Sequence, residues 1–131
     1  MKNFKLAALA FFSLAILFTA CKGKSPKELV VNKWKLTEVT GEGAKDMSDQ
    51  EKKGMTDSLV LELTKDGKIN LYGLGSDPAM GTYTVSEDGK SMDFKRTGED
   101  KAEPQQINEV SASKLVITDT KSKMTLTFKA K

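Results

Sequence analysis

From Ser58 to Lys131, apolar residues recur at every second position in short runs that polar turns separate. Leu59, Leu61 and Leu63 make the first of these runs. A period of two puts one face of a strand against a core, whereas a helix repeats its apolar residues about every 3.6 positions. The pattern predicts seven strands in this part of the chain. A stretch before it, residues 33–40, alternates in the same way and brings the number to eight.

The first predicted strand places Trp34 and Glu38 on the same face, because residues two and four positions apart share a side of a strand. Gly41–Asp57 follows it and is polar. This segment contains Ser48-Asp49-Gln50-Glu51, the pattern of a capping box, so we expect a short helix that starts at Ser48. Little in the segment is large and apolar, and we interpret it as a lid or a loop.

The first Asp-Gly-Lys turn sets the register of the strands on either side of it. Leu63 and Ile69 must face each other if the apolar faces are to stay together. This pairing requires a three-residue loop, Lys65–Gly67, with Gly67 in the left-handed region.

The second Asp-Gly-Lys turn should differ in length from the first. If Val85 is to face Met92, the loop must have two residues, Asp88-Gly89. Further along, Gln105–Ser111 is a weaker strand, and the spacing of its apolar residues Ile107 and Val110 predicts a β-bulge.

Connection length alternates along the predicted strands. The connections after strands one, three and five are long, and those after strands two, four and six are tight. An up-and-down antiparallel sheet therefore has one loop-rich end and one end of tight turns. Eight such strands with a single apolar face close most naturally into a barrel, which removes exposed edges. We predict an all-β, eight-stranded antiparallel up-and-down barrel with one short helix between strands 1 and 2; a two-sheet sandwich is the alternative.

The start of the chain has the organisation of a secretory signal. Lys2 and Lys5 are followed by Leu6–Phe18, which is apolar apart from Ser13, and small residues then precede Cys21. The apolar run is shorter than the roughly 20 residues that cross a bilayer. The segment resembles a bacterial lipoprotein signal, and this resemblance implies cleavage before Cys21 and acyl chains on that residue. Plain secretion with a chance cysteine is the alternative.

These features divide the chain into a signal peptide at 1–20, a lipidated cysteine and tether at 21–31 and a barrel domain at 32–131. Acyl chains on Cys21 would attach the protein to a membrane, since stable anchoring takes more than one chain. No Asp follows Cys21 directly, which in many Gram-negative bacteria favours the outer membrane. We expect a lipid-anchored protein of the cell envelope, in that membrane.

Charge and composition argue against several classes of function. The chain has 21 Lys and Arg against 18 Asp and Glu, and losing Lys2 and Lys5 with the signal leaves 19 against 18. This balance gives no case for nucleic acid. There is no His, and lipidation would remove the thiol of the single Cys, so the usual general base, metal ligand and nucleophile are missing. We expect a monomer that is not an enzyme and takes no cofactor or metal.

Seven carboxylates cluster in the connections of the loop-rich end. A pair of them could in principle do acid–base work, although such residues more often solvate a loop. They are Asp46, Asp49, Glu51, Asp57, Glu99, Asp100 and Glu103.

The ordered series of strands carries a resemblance to a family. Trp34 in Asn32-Lys33-Trp34 opens the first strand, and Gly81-Thr82-Tyr83 and Leu126-Thr127-Phe128 lie in later ones. Over about Asn32–Lys129 the chain resembles the small lipocalin-like lipoproteins of Gram-negative bacteria. The resemblance implies a cup closed at one end around Trp34, with a small apolar ligand entering at the loop-rich end, under Gly41–Asp57 as a lid.

Twelve residues are expected to point into this barrel and to line a ligand site: Trp34, Leu36, Leu61, Leu63, Leu71, Tyr83, Val85, Met92, Phe94, Ile117, Leu126 and Phe128. An eight-stranded barrel is just wide enough for side chains to fill it, or to hold one small ligand. Trp34 is interpreted as a core plug. Two functions remain open: a carrier of a small apolar molecule, or a filled barrel whose loop face binds a protein or cell-wall partner. They differ in whether Met92 and Phe94 line an empty volume.

Overall fold

The computed structural model describes residues 24–75 and 77–131; the signal segment and Cys21 lie outside these residues. Eight antiparallel strands form a closed barrel in sequence order, and the ring is completed by pairing of the first strand with the last. This confirms the predicted fold. The strands are β1 Asn32–Gly41, β2 Val60–Leu63, β3 Lys68–Tyr72, β4 Ala79–Val85, β5 Ser91–Arg96, β6 Glu103–Val110, β7 Lys114–Asp119 and β8 Met124–Ala130.

A short helix, α1 (Pro26–Leu29), precedes β1 and packs at the end of the barrel that carries the tight turns. Val30 follows α1 and is fully buried, as is Trp34. The indole Nε1 of Trp34 donates a hydrogen bond to the carbonyl oxygen of Val30 at 2.8 Å. Trp34 and Val30 therefore plug this closed end together, and Val30, which the sequence placed in the tether, belongs to the core.

A β-bulge in β1 changes which residues of this strand face the core. Leu36 pairs with Phe128, and the next paired residue is Glu38, opposite Thr127. The irregularity reverses the alternation, so that Glu38 is exposed and Val39 is buried. The prediction that Glu38 shares the face of Trp34 is wrong, because a strict period of two cannot continue through a bulge.

The first hairpin has the predicted register and loop. Leu63 pairs with Ile69, and the backbone of Thr64 bonds to that of Lys68 across the loop. Gly67 has φ +85°, the left-handed conformation that glycine adopts without steric cost. The three-residue loop Lys65–Gly67 is confirmed.

The second hairpin has the predicted strand register but not the predicted loop. Val85 pairs with Met92. The last hydrogen bond before the loop runs from the N–H of Ser86 to the carbonyl oxygen of Ser91, with 2.9 Å between the nitrogen and the oxygen. The loop thus holds four residues, 87–90, and not the two residues Asp88-Gly89. The N–H of Gly89 bonds to the carbonyl of Ser86, as that of Gly67 does to Thr64 in the first hairpin. The two loops differ in length, as expected, but share this turn.

The remaining topology follows the predicted plan. The register shifts between Ile107 and Glu109 of β6, which confirms the bulge. The connections after β1, β3 and β5 are long, and those after β2, β4 and β6 are tight. The barrel therefore has a loop-rich end opposite the closed end, and the connection between β7 and β8 also lies at the loop-rich end.

The predicted helix is present as α2 (Asp49–Ser58), which follows a single 3₁₀ turn, Glu42–Ala44. The Ser48 N–H bonds to Glu51 Oε2 at 2.7 Å, and the Glu51 N–H bonds to Ser48 Oγ at 3.1 Å. This capping box is confirmed, and its hydrogen bonds, chiefly that from the Ser48 backbone, lower the pKa of Glu51.

The segment that contains α2 packs beside the barrel. Ala44 is buried, and Met47 and Met55 pack against the core. The helix lies against β1. These apolar contacts hold the segment against β1 and the core, and no residue of α2 lines the cavity described below.

Candidate functional site

A cavity of about 170 Å³ opens at the loop-rich end of the barrel. Its position follows from its lining, which comes from the ends of the strands that border the long connections. Fourteen residues line it: Leu59, Leu61, Ile69, Leu71, Phe94, Arg96, Glu103, Gln105, Ile117, Asp119, Ser122, Met124, Leu126 and Phe128.

The structure separates the twelve predicted lining residues into two groups. Six line the cavity: Leu61, Leu71, Phe94, Ile117, Leu126 and Phe128. The other six pack in the core without bordering this cavity: Trp34, Leu36, Leu63, Tyr83, Val85 and Met92. Phe94 thus lines an empty volume and Met92 does not. The barrel is filled toward its closed end and open toward its loop-rich end.

The floor and walls of the cavity are apolar because inward positions of neighbouring strands pair with one another. Leu61 pairs with Leu71, and Ile117 pairs with Leu126. Phe128 below them is almost completely buried. Such a surface offers a ligand shape and apolar contact, with few groups that must be paired.

Charged side chains form the rim. The Nε of Arg96 lies 3.9 Å from Oε1 of Glu103, in a partly exposed ion pair. Oδ1 of Asp119 accepts a hydrogen bond from the N–H of Lys121 at 2.9 Å and so holds the turn between β7 and β8. The rim therefore carries two carboxylates and one guanidinium.

One polar side chain lies deeper, within the wall. Gln105 on β6 is only 4% exposed, although its neighbours in the wall are apolar or lie at the rim. Its backbone pairs with Met92 on one side and Asp119 on the other, which directs the side chain inward. Among the hydrogen bonds of residues 24–75 and 77–131, none involves the Gln105 side-chain amide. No side-chain nitrogen or oxygen of the described residues is both fully buried and unpaired, so the amide of this otherwise buried residue is accessible from the cavity.

A smaller space of about 60 Å³ adjoins the cavity beside Ala79 and Met80. Leu71, Phe94 and Glu103 border both spaces. Met80 is 57% exposed, and Leu74 in the connection between β3 and β4 is 56% exposed. An exposed apolar edge therefore lies beside the opening.

Tyr83 has a structural role near the closed end. Its hydroxyl donates to the carbonyl oxygen of Thr64 at 2.6 Å and ties β4 to the first hairpin. Burial, and secondarily the charge of Asp66, raises the pKa of Tyr83. Lys24, Lys27 and other residues border a groove of about 550 Å³ on this outer surface, next to Tyr83.

Several residues that shape the cavity are not among the predicted lining residues. Gln105 lies two positions from Ile107 on β6, and that period-two spacing is the signal that could have placed it inward. The expectation that inward positions are apolar leaves Gln105 out, because it is polar. Asp119, also at the cavity, is the last residue of β7 and pairs with Gln105.

The candidate carboxylates do not assemble into a cluster. Of the seven, Glu103 is at the cavity rim, and the other six are exposed. Within the described ranges, no group of three or more acidic or Cys side chains is placed to hold a metal ion. No helix among those residues combines the length and apolar character needed to cross a membrane.

Comparison with known proteins supports the fold. No family model and no curated protein matches the chain. Among solved structures, an uncharacterized protein from Bacteroides eggerthii aligns with TM-score 0.59 and 13% identity, over 77% of this chain and 98% of that one. A protein from Bacteroides uniformis aligns with TM-score 0.54 and 15% identity, over 81% and 91%.

A DUF4847 family protein from Bacteroides vulgatus is also similar, with TM-score 0.55 and 9% identity, over 80% of this chain and 96% of that one. At these identities the likeness shows the fold alone. The alignments cover nearly all of each neighbour and about four fifths of this chain, so the likeness extends over the whole barrel.

Proposed function

We propose that this protein is a lipid-anchored component of the bacterial cell envelope that binds a small apolar molecule at the loop-rich end of its barrel. The observation that carries the proposal is the cavity of about 170 Å³ bordered by Leu71, Phe94 and Leu126. A dry cavity of about 150 Å³ lined by Leu, Ile and Phe binds benzene in another protein. The volume suits a single ring or a short chain, and burial of apolar surface would drive binding.

The path of the chain supports an orientation for the proposed anchor. Lys24, the first described residue, borders the groove beside Gly67 at the closed end. Lys24 is three positions after Cys21, a distance of about 10 Å in extended chain. Acyl chains on Cys21 would therefore hold the closed end at the membrane. The cavity would then face away from the bilayer and take its ligand from the aqueous side.

Replacing Cys21 with Ser in the full chain should abolish incorporation of labelled palmitate in a Gram-negative host and move the protein out of the membrane fraction. The reason is that acylation requires the Cys sulfur, and anchoring requires the acyl chains. Ser25→Ala, close by in the same segment, should keep both label and membrane association. A wild-type protein that takes up no label would contradict the anchor.

Replacing Leu71 with Phe should weaken binding of a small aromatic probe, because the larger side chain would occupy part of the cavity. A protein that begins at Lys22 keeps every described element, and its NMR spectrum can be titrated with toluene. We expect saturable shifts at cavity residues in the wild type and at least about a tenfold weaker dissociation constant in the variant.

The matched control is the same exchange at Leu74, which is 56% exposed and outside the cavity lining. Leu74→Phe should leave the dissociation constant unchanged, and circular dichroism should show the same fold for all three proteins. Wild-type protein that gives no saturable shifts would refute binding of apolar ligands.

A second candidate function is recognition of a protein partner through the loop-rich end. The apolar edge, made of the exposed Leu74 and Met80 on either side of the β3–β4 connection, supports it, because large exposed apolar side chains can mark an interaction surface. The two candidates differ in the part of the molecule that they use. Ligand binding needs the cavity interior, whereas partner binding needs only the exposed edge.

A further inference from the structure

We propose that the cavity is built for a small amphiphile, a compact apolar body with one uncharged or cationic hydrogen-bonding group, and that Gln105 binds this group. The inference rests on the proposed function, since it names the class of ligand for the same cavity. It starts from the one polar side chain that the barrel wall buries. Gln105 is 96% removed from solvent, lines the cavity, and makes no side-chain hydrogen bond among the described residues.

The amide of Gln105 faces the cavity, because no side-chain nitrogen or oxygen of the described residues is fully buried and unpaired and no protein group bonds to this amide. A side-chain amide offers two donors and a carbonyl acceptor, and a ligand that displaces the water of the cavity without pairing with this amide would leave it buried and unpaired, which is unfavourable. The pairing of β6 with β5 and β7 fixes the backbone at Gln105. The side chain therefore cannot turn to the outer surface without a change in the register of its strand.

A hydrocarbon in the cavity would complete the desolvation of this amide and would provide no group that could form a hydrogen bond with it. A ligand that carries a hydroxyl or amino group would fill the same apolar volume and would also pair with Gln105. One hydrogen bond to a buried group that otherwise stays unpaired corresponds to a preference of about tenfold. The cavity should therefore prefer the amphiphile to the hydrocarbon of the same shape.

The charges at the rim indicate which polar group fits. Glu103 and Asp119 are carboxylates, and Arg96 is the one cation among the residues that line the cavity. Arg96 already lies beside Glu103. A ligand carboxylate would meet an excess of negative charge, whereas an amine or a hydroxyl would not. The preferred ligands are therefore uncharged or cationic.

Four probes with one benzene ring separate these effects: toluene, benzyl alcohol, benzylamine and benzoate. With the protein that begins at Lys22, NMR titration should give benzyl alcohol and benzylamine dissociation constants about tenfold lower than that of toluene. Benzoate should be the weakest of the four.

Gln105→Met tests the role of the side chain directly, because methionine is unbranched and of similar length but lacks the amide. The variant should lose the preference for benzyl alcohol over toluene and should bind toluene at least as tightly as the wild type does. Gln106→Met is the matched control, since Gln106 is the next residue on β6 and is exposed. It should leave all four dissociation constants unchanged.

The outcomes distinguish this inference from the proposed function. If toluene binds as tightly as benzyl alcohol and Gln105→Met changes neither, the role of Gln105 is refuted while the apolar cavity stands. If benzoate binds best, the assignment from rim charge is refuted. If none of the probes binds to the wild type, both the inference and the proposed function fail. Because the wild-type series decides by itself, a Gln105→Met protein that fails to fold does not prevent the test.

Discussion

Replacing Trp34 with Ala should lower the free energy of unfolding by about 3–5 kcal/mol, the range for removing a large buried aromatic side chain. Trp34 is fully buried and plugs the closed end of the barrel. The substitution leaves a cavity there, and it also leaves the carbonyl oxygen of Val30 without the hydrogen bond that it accepts from the indole. Both effects act in the same direction.

Urea denaturation followed by circular dichroism measures the loss, because the chain contains a single Trp and the variant has no indole fluorescence. Trp34→Phe is the control. It keeps an aromatic ring but removes the donor to Val30 and part of the volume, so its loss should lie between the other two proteins. A loss below about 1 kcal/mol in Trp34→Ala would show that Trp34 does not support the closed end.

Replacing Gly81 with Ala should destabilise the barrel by about 3 kcal/mol, at the upper part of the usual range for overpacking. Gly81 on β4 pairs with Arg96 on β5. A Cβ at this position would clash with the carbonyl oxygen of Lys95 and would lie 3.0 Å from the Cα of Arg96. Both are backbone atoms, so no change of rotamer can relieve the clash, and the two strands must separate.

Gly54→Ala is a control with the opposite expected sign. Gly54 lies in the interior of α2, and a Cβ there would meet nothing within 4 Å. Alanine favours the helix by up to about 1 kcal/mol relative to glycine. Thermal or urea unfolding of both variants tests the pair. A Gly81→Ala protein as stable as the wild type would mean that β4 and β5 do not approach so closely.

The predictable part of the fold was the part that depends on repetition. Alternation within each strand and the requirement that apolar faces stay together placed Leu63 opposite Ile69 and Val85 opposite Met92, as the structure shows. Alternating connection lengths located the loop-rich end. These are averages over many residues, and one unusual residue does not overturn them.

The predictions that were wrong concern features in which one residue departs from the repeat. The bulge that exposes Glu38 in β1 contains no glycine or proline that would indicate it in the sequence. The loop of the second hairpin is longer than the two-residue turn that Asp88-Gly89 predicts. In the structure, the side chain of Asp88 instead accepts hydrogen bonds from Ser86 and from the N–H of Lys90. Such side-chain bonds depend on geometry that spacing alone does not reveal.

The cavity was predictable in position but not in chemistry. Its apolar wall follows from inward residues such as Leu71 and Phe94, which the alternation identifies. Gln105 could not be assigned a role from the sequence, because a polar residue in a weak strand is more often exposed than buried. Only the closed ring of strands shows that it is enclosed on both sides.

Because connection lengths alternate, the two ends of the barrel also differ in how freely their sequences can change during evolution. The tight turns, α1 and the plug formed by Trp34 and Val30 meet at one end, where an insertion would disturb the core. The long connections meet at the other end, around the cavity, where loops tolerate changes in length and sequence. A lineage of such barrels could exchange one ligand or partner for another by altering loops and rim residues alone, while the scaffold stayed the same.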